Sequence, residues 1–300
     1  MLTEKLHIPV MLHEVIDSLK LKPGQLIVDA TLGTGGHAFE ILKLIAPTGR
    51  LIGIDRDNES LRVARERLSD FSGNCEFVHA NFADLDQVVA GQGVDKIDGI
   101  IFDLGISTFQ LFDAQRGFSF QEEGPLDMRL DKDSYISAYD LVNNLNESEI
   151  SNLLWSFGQE RWHNRIAHLL IEERKTRPIS TTRQLADLVM RAIPHRYRRS
   201  YYRIHPATRT FQAVRIAVNR ELEIIESAIK KAVAILRKQA RICVISFHSL
   251  EDRAVKHTFR QLKADGLINI ITPKPLTPAA GEVEANPSSR SSKFRVAERI

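Results

Sequence analysis

The sequence predicts an α/β protein: a parallel sheet flanked by helices and interrupted after its fourth strand by a helical insertion. Three observations carry this. Short apolar runs alternate with helical patterns through the first hundred residues, the signature of successive βαβ units. The alternation then gives way to a long helical, strongly basic stretch. Strands return only near Ile242.

Leu26-Ile27-Val28 reads as a buried first strand, followed by a glycine loop and a helix from about Ala38. Leu51-Ile52-Gly53-Ile54 is the second strand. Asp57 is placed to cap the next helix, whose apolar positions Leu61, Ala64 and Leu68 follow the 3.6-residue period. Cys75 to His79 and Ile97 to Phe102 read as the third and fourth strands. From Gly105 to Pro125 the chain is rich in Gly, Gln and Phe without periodicity and reads as a long structured loop. Residues 135–193 read as helical, with Asn146-Glu147-Ser148-Glu149 resembling a capping box and Ser180-Thr181-Thr182 opening a further helix. Thr210 to Arg237 has one apolar face (Phe211, Val214, Ala217, Val218, Leu222) and reads as a single long helix. Ile242 to Phe247 is a buried strand and Glu251 to Leu262 a helix. Ile268–Ile271 and Phe294–Ala297 are able to pair as an edge hairpin, with a loop between Thr272 and Ser292. The resulting domain expectation is residues 1–107 and 209–300 for the sheet domain and 108–208 for the inserted loop and helical domain.

Composition narrows the function. The 300 residues are 43% hydrophobic and 26% charged, which excludes a disordered or fibrous chain. No run of about 18 apolar residues occurs, so no transmembrane helix is expected. Glu4, Lys5, Glu14 and Asp17 break up the first twenty residues, so no secretory signal is expected either. Two cysteines without CxxC spacing argue against a disulfide scaffold or a zinc finger and for a reducing cytoplasm. No HExxH or clustered Cys/His spacing points to a metal, and Ser249 is not in a GxSxG elbow.

The net charge of +3 hides an asymmetry. Residues 160–220 hold 14 Lys or Arg against 4 Asp or Glu, so the rest of the chain is mildly acidic. A polyanion docking at one place accounts for this, and His195-Arg196-Tyr197-Arg198-Arg199-Ser200-Tyr201-Tyr202-Arg203 interleaves phosphate-gripping arginines with rings that stack on bases. The competing reading is a solvated basic face. A membrane surface fits less well, because the segment lacks a long apolar face.

The strongest local motif is Val28-Asp29-Ala30-Thr31-Leu32-Gly33-Thr34-Gly35-Gly36-His37. Glycines between strand and helix let backbone approach a ligand, and Asp55, 19 residues after Gly36, ends the second strand where a carboxylate suits ribose hydroxyls. The pattern is GxGGH rather than GxGxxG. A carboxylate at Asp29, beside the loop, repels a pyrophosphate but welcomes a sulfonium and an ammonium. S-adenosylmethionine is therefore favoured over NAD, with a simple loop-capping Asp29 as the alternative. Asp103, at the end of the fourth strand, is the candidate reacting or hydrogen-bonding group, against a plain turn-forming aspartate.

These residues also carry a family resemblance. His7-Ile8-Pro9-Val10-Met11-Leu12, Gly33–His37, Asp103-Leu104-Gly105-Ile106-Ser107, Arg116-Gly117-Phe118-Ser119-Phe120, Gly124-Pro125-Leu126-Asp127-Met128-Arg129, Pro206 to Ala213, Ser246 to Arg253 and Asn286-Pro287 to Arg295 stand in one order along nearly the whole chain. In this the sequence resembles the ribosomal small subunit methyltransferase H family, also called MraW. The resemblance implies a class I (Rossmann-like) S-adenosylmethionine-dependent methyltransferase sheet with an inserted all-helical substrate domain. It implies methylation of N4 of a decoding-centre cytidine in 16S rRNA, in the assembled or assembling 30S subunit. It leaves the oligomeric state open, a homodimer included. By motif, cofactor contacts carry over to Gly35, Gly36, His37, Asp55, Phe82, Asp103 and Gln110, with Phe82 near the adenine. Candidate RNA contacts are Arg196, Arg198, Arg199, Arg203 and Arg209.

The sequence departs from one common pattern. Many amino methyltransferases place Asp/Asn/Ser-Pro-Pro-aromatic after the fourth strand, whereas Asp103-Leu104-Gly105-Ile106 lacks both prolines and the ring. Asp103 is accordingly the candidate catalytic acceptor for N4, and a base-stacking ring is sought among Phe109, Phe112, Phe118 and Phe120. Three other functions remain to be weighed: methylation of DNA or another RNA, non-catalytic RNA binding in ribosome assembly, and NAD-dependent oxidoreduction.

Overall fold

A computed structural model describes residues 9–198, without the side chain of Arg198, and residues 205–300. They fall into two compact units, residues 9–109 with 222–300, and the described residues of 110–221.

The first unit is built on a seven-stranded sheet in the order β3-β2-β1-β4-β5-β7-β6, the strands being β1 (Leu26–Asp29), β2 (Arg50–Asp55), β3 (Cys75–His79), β4 (Ile97–Asp103), β5 (Leu236–Ser246), β6 (Ile268–Ile270) and β7 (Lys293–Arg299). Strands β1 to β5 run parallel, and β7 enters antiparallel between β5 and β6. This is the class I methyltransferase sheet. Its order reverses between β1 and β4, so a crevice is expected at their carboxyl ends.

Both faces are buried because side chains alternate along each strand. Ile27, Leu51, Ile101, Cys243, Ile245 and Val296 meet the helices α1 (Leu12–Leu19), α2 (Gly36–Ile45) and α3 (Asn58–Arg67). Val28, Ile52, Ile100, Phe102, Ile242 and Val244 meet the other layer. That layer consists of α4 (Leu85–Gly91), a later helix ending at Ile235, and a helix over Ser249–Ala264. The expected cap is present: Asp57 accepts from the Glu59 N–H, 3.1 Å away.

The second unit is helical. Its elements are the end of α5 (Thr108–Phe112), then α6 (Ala138–Asn144), α7 (Glu147–Gly158), α8 (His163–Arg174), α9 (Thr182–Ala192), α10 (His195–Arg198) and α11 (Thr208–Asn219). Asn146 with Glu149 and Thr181 with Gln184 form reciprocal capping boxes at the starts of α7 and α9, as their spacing indicates. At Gly158 a Cβ would lie 2.6 Å from the Arg209 carbonyl oxygen, so glycine lets α7 and α11 approach backbone to backbone.

Three expectations are corrected. The helix read over Thr210 to Arg237 is two, α11 and α12 (Glu221–Ile235), because Arg220 adopts a left-handed conformation (φ 51°) that ends α11. Since α11 packs on α7 and α6, the inserted unit extends to 221, whereas the sequence placed its end at 208. The segments read as loops carry short helices, α5 with a 3₁₀ turn at Ala114–Arg116, and α14 (Ala280–Ala285), which follows α13 (Ser249–Ala264). Both are too short for periodicity to reveal. The expected edge hairpin of β6 with β7 does form, but β7 also bonds β5 on its other side. No helix among the described residues is long and apolar enough to cross a membrane.

Two motif glycines of the insertion are steric necessities. A Cβ at Gly124 would sit 1.8 Å from the Ala114 carbonyl oxygen. One at Gly117 would sit 2.2 Å from that of Pro125, on a backbone with φ 68°. Gly124→Ala and Gly117→Ala should each lower stability by about 1–3 kcal/mol, because backbone rather than a flexible side chain must yield. Gly91→Ala, where no atom lies within 4 Å at the end of α4, should raise stability by up to about 1 kcal/mol. Urea unfolding of the three variants checks the contrast.

Candidate functional site

The carboxyl ends of β1, β2 and β4 each finish in an aspartate: Asp29, Asp55 and Asp103. Asp29 and Asp103 flank the point where the strand order reverses. The register sets their stagger, since Asp29 pairs with Ile101 and Asp103 lies two residues further along β4. A fourth carboxylate, Glu251, stands near the start of α13, where it accepts from the Phe247 and His248 backbone N–H groups at 2.8 and 3.3 Å.

Each of the aspartates is anchored through backbone. The Thr31 N–H donates to Asp29 at 3.2 Å. Asp55 accepts from the Gly33 N–H at 2.7 Å and from the Asp57 N–H at 2.9 Å, so it stitches the glycine loop to the start of α3. The Asp103 N–H donates to the Thr31 hydroxyl at 2.6 Å, which ties β4 to the loop after β1.

The glycine loop turns through left-handed backbone at Gly33 (φ 52°) and Gly35 (φ 78°). Gly36 is bare for a different reason, as a Cβ there would lie 2.8 Å from the Pro9 ring. His37 is buried. Its Nε2 lies 3.0 Å from the Val10 carbonyl oxygen, and its Nδ1 lies 3.6 Å from Asp103 Oδ2. The segment Pro9-Val10-Met11 is held at its far end as well, because the Met11 N–H donates to Glu282 Oε1 of α14 at 2.6 Å. Phe82 lies just past β3, half-buried, edge-on to Phe102 with centroids 5.7 Å apart. The expected sites Gly35, Gly36, His37, Asp55, Phe82 and Asp103 thus all lie in the first unit. Gln110 is buried in the second.

The electrostatics are those of crowded, desolvated carboxylates. Burial pushes Asp29 up to about 7, with the Asp55 charge adding to it. Burial pushes Asp55 up to about 6 against the backbone donors that favour its ionised form. Asp103 is held well above the ordinary range by burial first, then by the charges of Asp29 and Glu251. Asp103 Oδ1 is buried and has no hydrogen-bond partner. An orphaned buried acceptor among like charges calls for a cation or a donor from a ligand.

The chemistry of this set discriminates between ligands. The Gly33 N–H is taken by Asp55 and the Gly35 N–H by the Leu32 carbonyl at 2.8 Å, so the loop does not offer them to a pyrophosphate. Four carboxylates would also repel one. A ligand with cationic groups and ribose hydroxyls fits instead, as S-adenosylmethionine does. Asp55 retains lone pairs that would suit the hydroxyls, and Asp29 and Asp103, once ionised, would meet positive charge with negative.

In the inserted unit, Arg196 is exposed, whereas Arg209 is half-buried and gives one N–H to the Gln159 carbonyl at 3.3 Å. Arg199, Arg203 and the Arg198 side chain lie outside the described residues. Of the candidate stacking rings, Phe118 is buried beside the Arg116 guanidinium, and Phe120 packs between His205 and Phe211 at 4.5 and 5.0 Å. Phe112 is 56% exposed. Sequence reasoning missed Glu251 and the His37 side-chain contacts. The Glu251 position was visible as an acid four residues after Phe247, but nothing local places it near Asp103.

Comparison with known proteins identifies the family. Residues 4–300 match the MraW methylase family. A protein of Sulfurihydrogenibium azorense called ribosomal RNA small subunit methyltransferase H is 48% identical, over 98% of this chain and 99% of its own. Proteins of the same name from a Geobacter species and from Clostridioides difficile are 47% and 43% identical, each over 98% of this chain and 98% and 99% of their own. On this match and on the sheet and carboxylate cluster it folds into, the chain belongs to the MraW methylase family.

Proposed function

We propose that this chain transfers a methyl group from S-adenosylmethionine to the exocyclic N4 amine of a decoding-centre cytidine in 16S rRNA. The substrate is taken as the assembled or assembling small subunit, in the cytoplasm. The observation that carries the reading is Asp103 Oδ1, a buried acceptor without a partner at the switch point of a class I sheet. The relatives' shared name, which specifies small-subunit ribosomal RNA, supports the substrate.

When bound, the cofactor supplies a methyl group on a positively charged sulfur. Asp55 takes the ribose hydroxyls, Asp29 faces the positive charge, and the Gly35-Gly36-His37 turn presents a backbone that a ligand can approach. Phe82 offers its half-buried ring to the adenine. The lone pair of the target N4 is delocalised into the pyrimidine, so the amine is a weak nucleophile, and holding it in line does much of the work. Asp103 is the acceptor that orients an N4 hydrogen and takes the proton as the new N–C bond forms. Raising the basicity of Asp103 suits that duty. No cysteine nucleophile is needed, which agrees with Cys75 and Cys243 being buried thiols; burial pushes the Cys75 thiol up to about 12 and raises that of Cys243 as well.

The direct test incubates small subunits from a strain lacking the enzyme with labelled cofactor and maps the label. One cytidine N4 in 16S rRNA is the expected site. Label in naked duplex DNA or another RNA would overturn the substrate, and absence of cofactor binding in calorimetry would leave only an RNA-binding assembly factor.

Asp103→Ala and Asp103→Asn should keep the fold and lower turnover by about 10²- to 10⁴-fold. Near-normal turnover would remove Asp103 from the reaction. A lost cofactor affinity with turnover intact at saturation would reassign it to the cofactor alone.

The raised carboxylates also give a pH signature. Their folded-state pKa values lie above the unfolded value of 3.8, so in the free protein they favour folding most at low pH, and that contribution is lost as pH rises through about 6 to 7. Binding a cation runs the other way, since it needs them ionised. Cofactor affinity should therefore rise between about pH 5 and pH 8, with proton release detectable by calorimetry in buffers of different ionisation enthalpy. A flat affinity profile without proton release would show that the cluster does not face the cofactor's charge.

A further inference from the structure

The inserted unit holds a compact group of rings and guanidinium ions that the family motifs do not mark. Trp162, just before α8, and Tyr197, in α10, lie with ring centroids 5.2 Å apart at 44°. The Arg161 guanidinium carbon is 5.3 Å from the Trp162 ring centroid and 5.5 Å from that of Tyr197. That of Arg196 is 4.6 Å from the Tyr197 ring centroid on the same helix turn. Both arginines are exposed, while the Trp162 ring is half-buried.

What sets this group apart is what its cations do not do. Several other basic side chains of the insertion are committed. Arg177 and Arg191 pair with Glu173, Arg215 pairs with Glu221, and Arg165 and Arg174 donate to the Ala192 and Val142 carbonyls. Arg161 and Arg196 have no carboxylate partner among the described residues. They rest on ring faces, which hold a guanidinium by its charge and consume none of its N–H donors. The Trp162 indole N–H is also buried without an acceptor. The result is a pre-arranged pair of charged forks beside two rings.

We propose that Arg161, Trp162, Arg196 and Tyr197 form a subsite for one unpaired nucleotide of the RNA substrate, its base stacked on the ring–guanidinium cluster and its phosphate held by the two arginines. A single-stranded RNA is favoured over a duplex because stacking requires a base face that a helix hides. It is favoured over a protein acid patch because carboxylate recognition makes no use of the rings. The proposal rests on the reading of this chain as an RNA methyltransferase and adds where that RNA is gripped.

The test uses the full chain and a short single-stranded oligoribonucleotide of the target sequence carrying 5-bromouridine. Arg161→Ala/Arg196→Ala should weaken binding about tenfold or more and flatten its salt dependence by about 0.7 per lost phosphate contact. Tyr197→Ala should weaken binding about fivefold or more, and Tyr197→Phe should restore it because the ring and not the hydroxyl is used. Photocrosslinks should map to Trp162 or Tyr197. Cofactor binding by calorimetry serves as the control for folding. Unchanged affinity and salt slope in the double arginine variant, or equal losses in Tyr197→Ala and Tyr197→Phe, would overturn the subsite. Either result leaves the methylation assay on small subunits untouched, so failure of this subsite is distinguishable from failure of the RNA methyltransferase reading.

Discussion

The structure turns on burying several carboxylates at one end of a parallel sheet. Asp29, Asp55, Asp103 and Glu251 are placed there by three strand ends and one helix start, and like charges in a low-dielectric crevice are costly. The fold offsets part of that cost with backbone donors to Asp29, Asp55 and Glu251. It leaves Asp103 Oδ1 without one. A site tuned this way is more favourable with a cation inside it than without, which is the condition for selecting a sulfonium and ammonium ligand over the many anionic nucleotides that share its adenosine.

A second constraint is how the loop over this cluster is kept still. Glycines at 33 and 35 let the chain turn, yet a bare loop is entropically loose. The protein restrains it from outside. Pro9 packs where a Gly36 side chain would have been, Val10 accepts from or is contacted by His37, and Met11 is tied to Glu282. Residues nearly the whole chain apart thereby determine how His37 is presented to Asp103. This accounts physically for motifs at both ends of the sequence around a site whose three aspartates lie between residues 29 and 103.

Legibility followed range. Features set by a few neighbouring residues could be read directly: the cap at Asp57, the boxes at Asn146 and Thr181, the glycine turn, and the short buried apolar runs of β1, β2 and β4. The break at Arg220 could not, because both halves of the 210–235 stretch are amphipathic and only the packing of α11 on α7 demands a turn there. The α14 segment was hidden by its Pro-, Ala- and Ser-rich surroundings and its single helical turn and a half. At the site, the strand-end aspartates were visible because each directly follows an apolar run: Asp29 after Val28, Asp55 after Ile54 and Asp103 after Phe102. The orphaned oxygen of Asp103 and the nearness of Glu251 depend on the spatial neighbourhood of β4 and β5, which no spacing encodes. The Arg161–Tyr197 cluster was half legible, since Arg196 and Tyr197 stood out in the basic run while Arg161 and Trp162, 35 residues earlier, looked like an ordinary helix start.

The charge asymmetry follows from the same electrostatics. On the proposed reading, a crevice lined by carboxylates that attracts a cationic methyl donor would repel a phosphate backbone, so one surface would not serve both ligands. What must reach the carboxylates is a neutral base edge, which carries no such penalty. On the same reading the phosphates would need cations of their own, and the unit encoded between β4 and β5 carries them, with 14 basic and 4 acidic residues across 160–220. Keeping those cations available requires that they not be neutralised locally. Where they merely stabilise the insertion they pair with Glu173 or Glu221. Where they rest on Trp162 and Tyr197 their charge and donors would stay available to the proposed RNA phosphate.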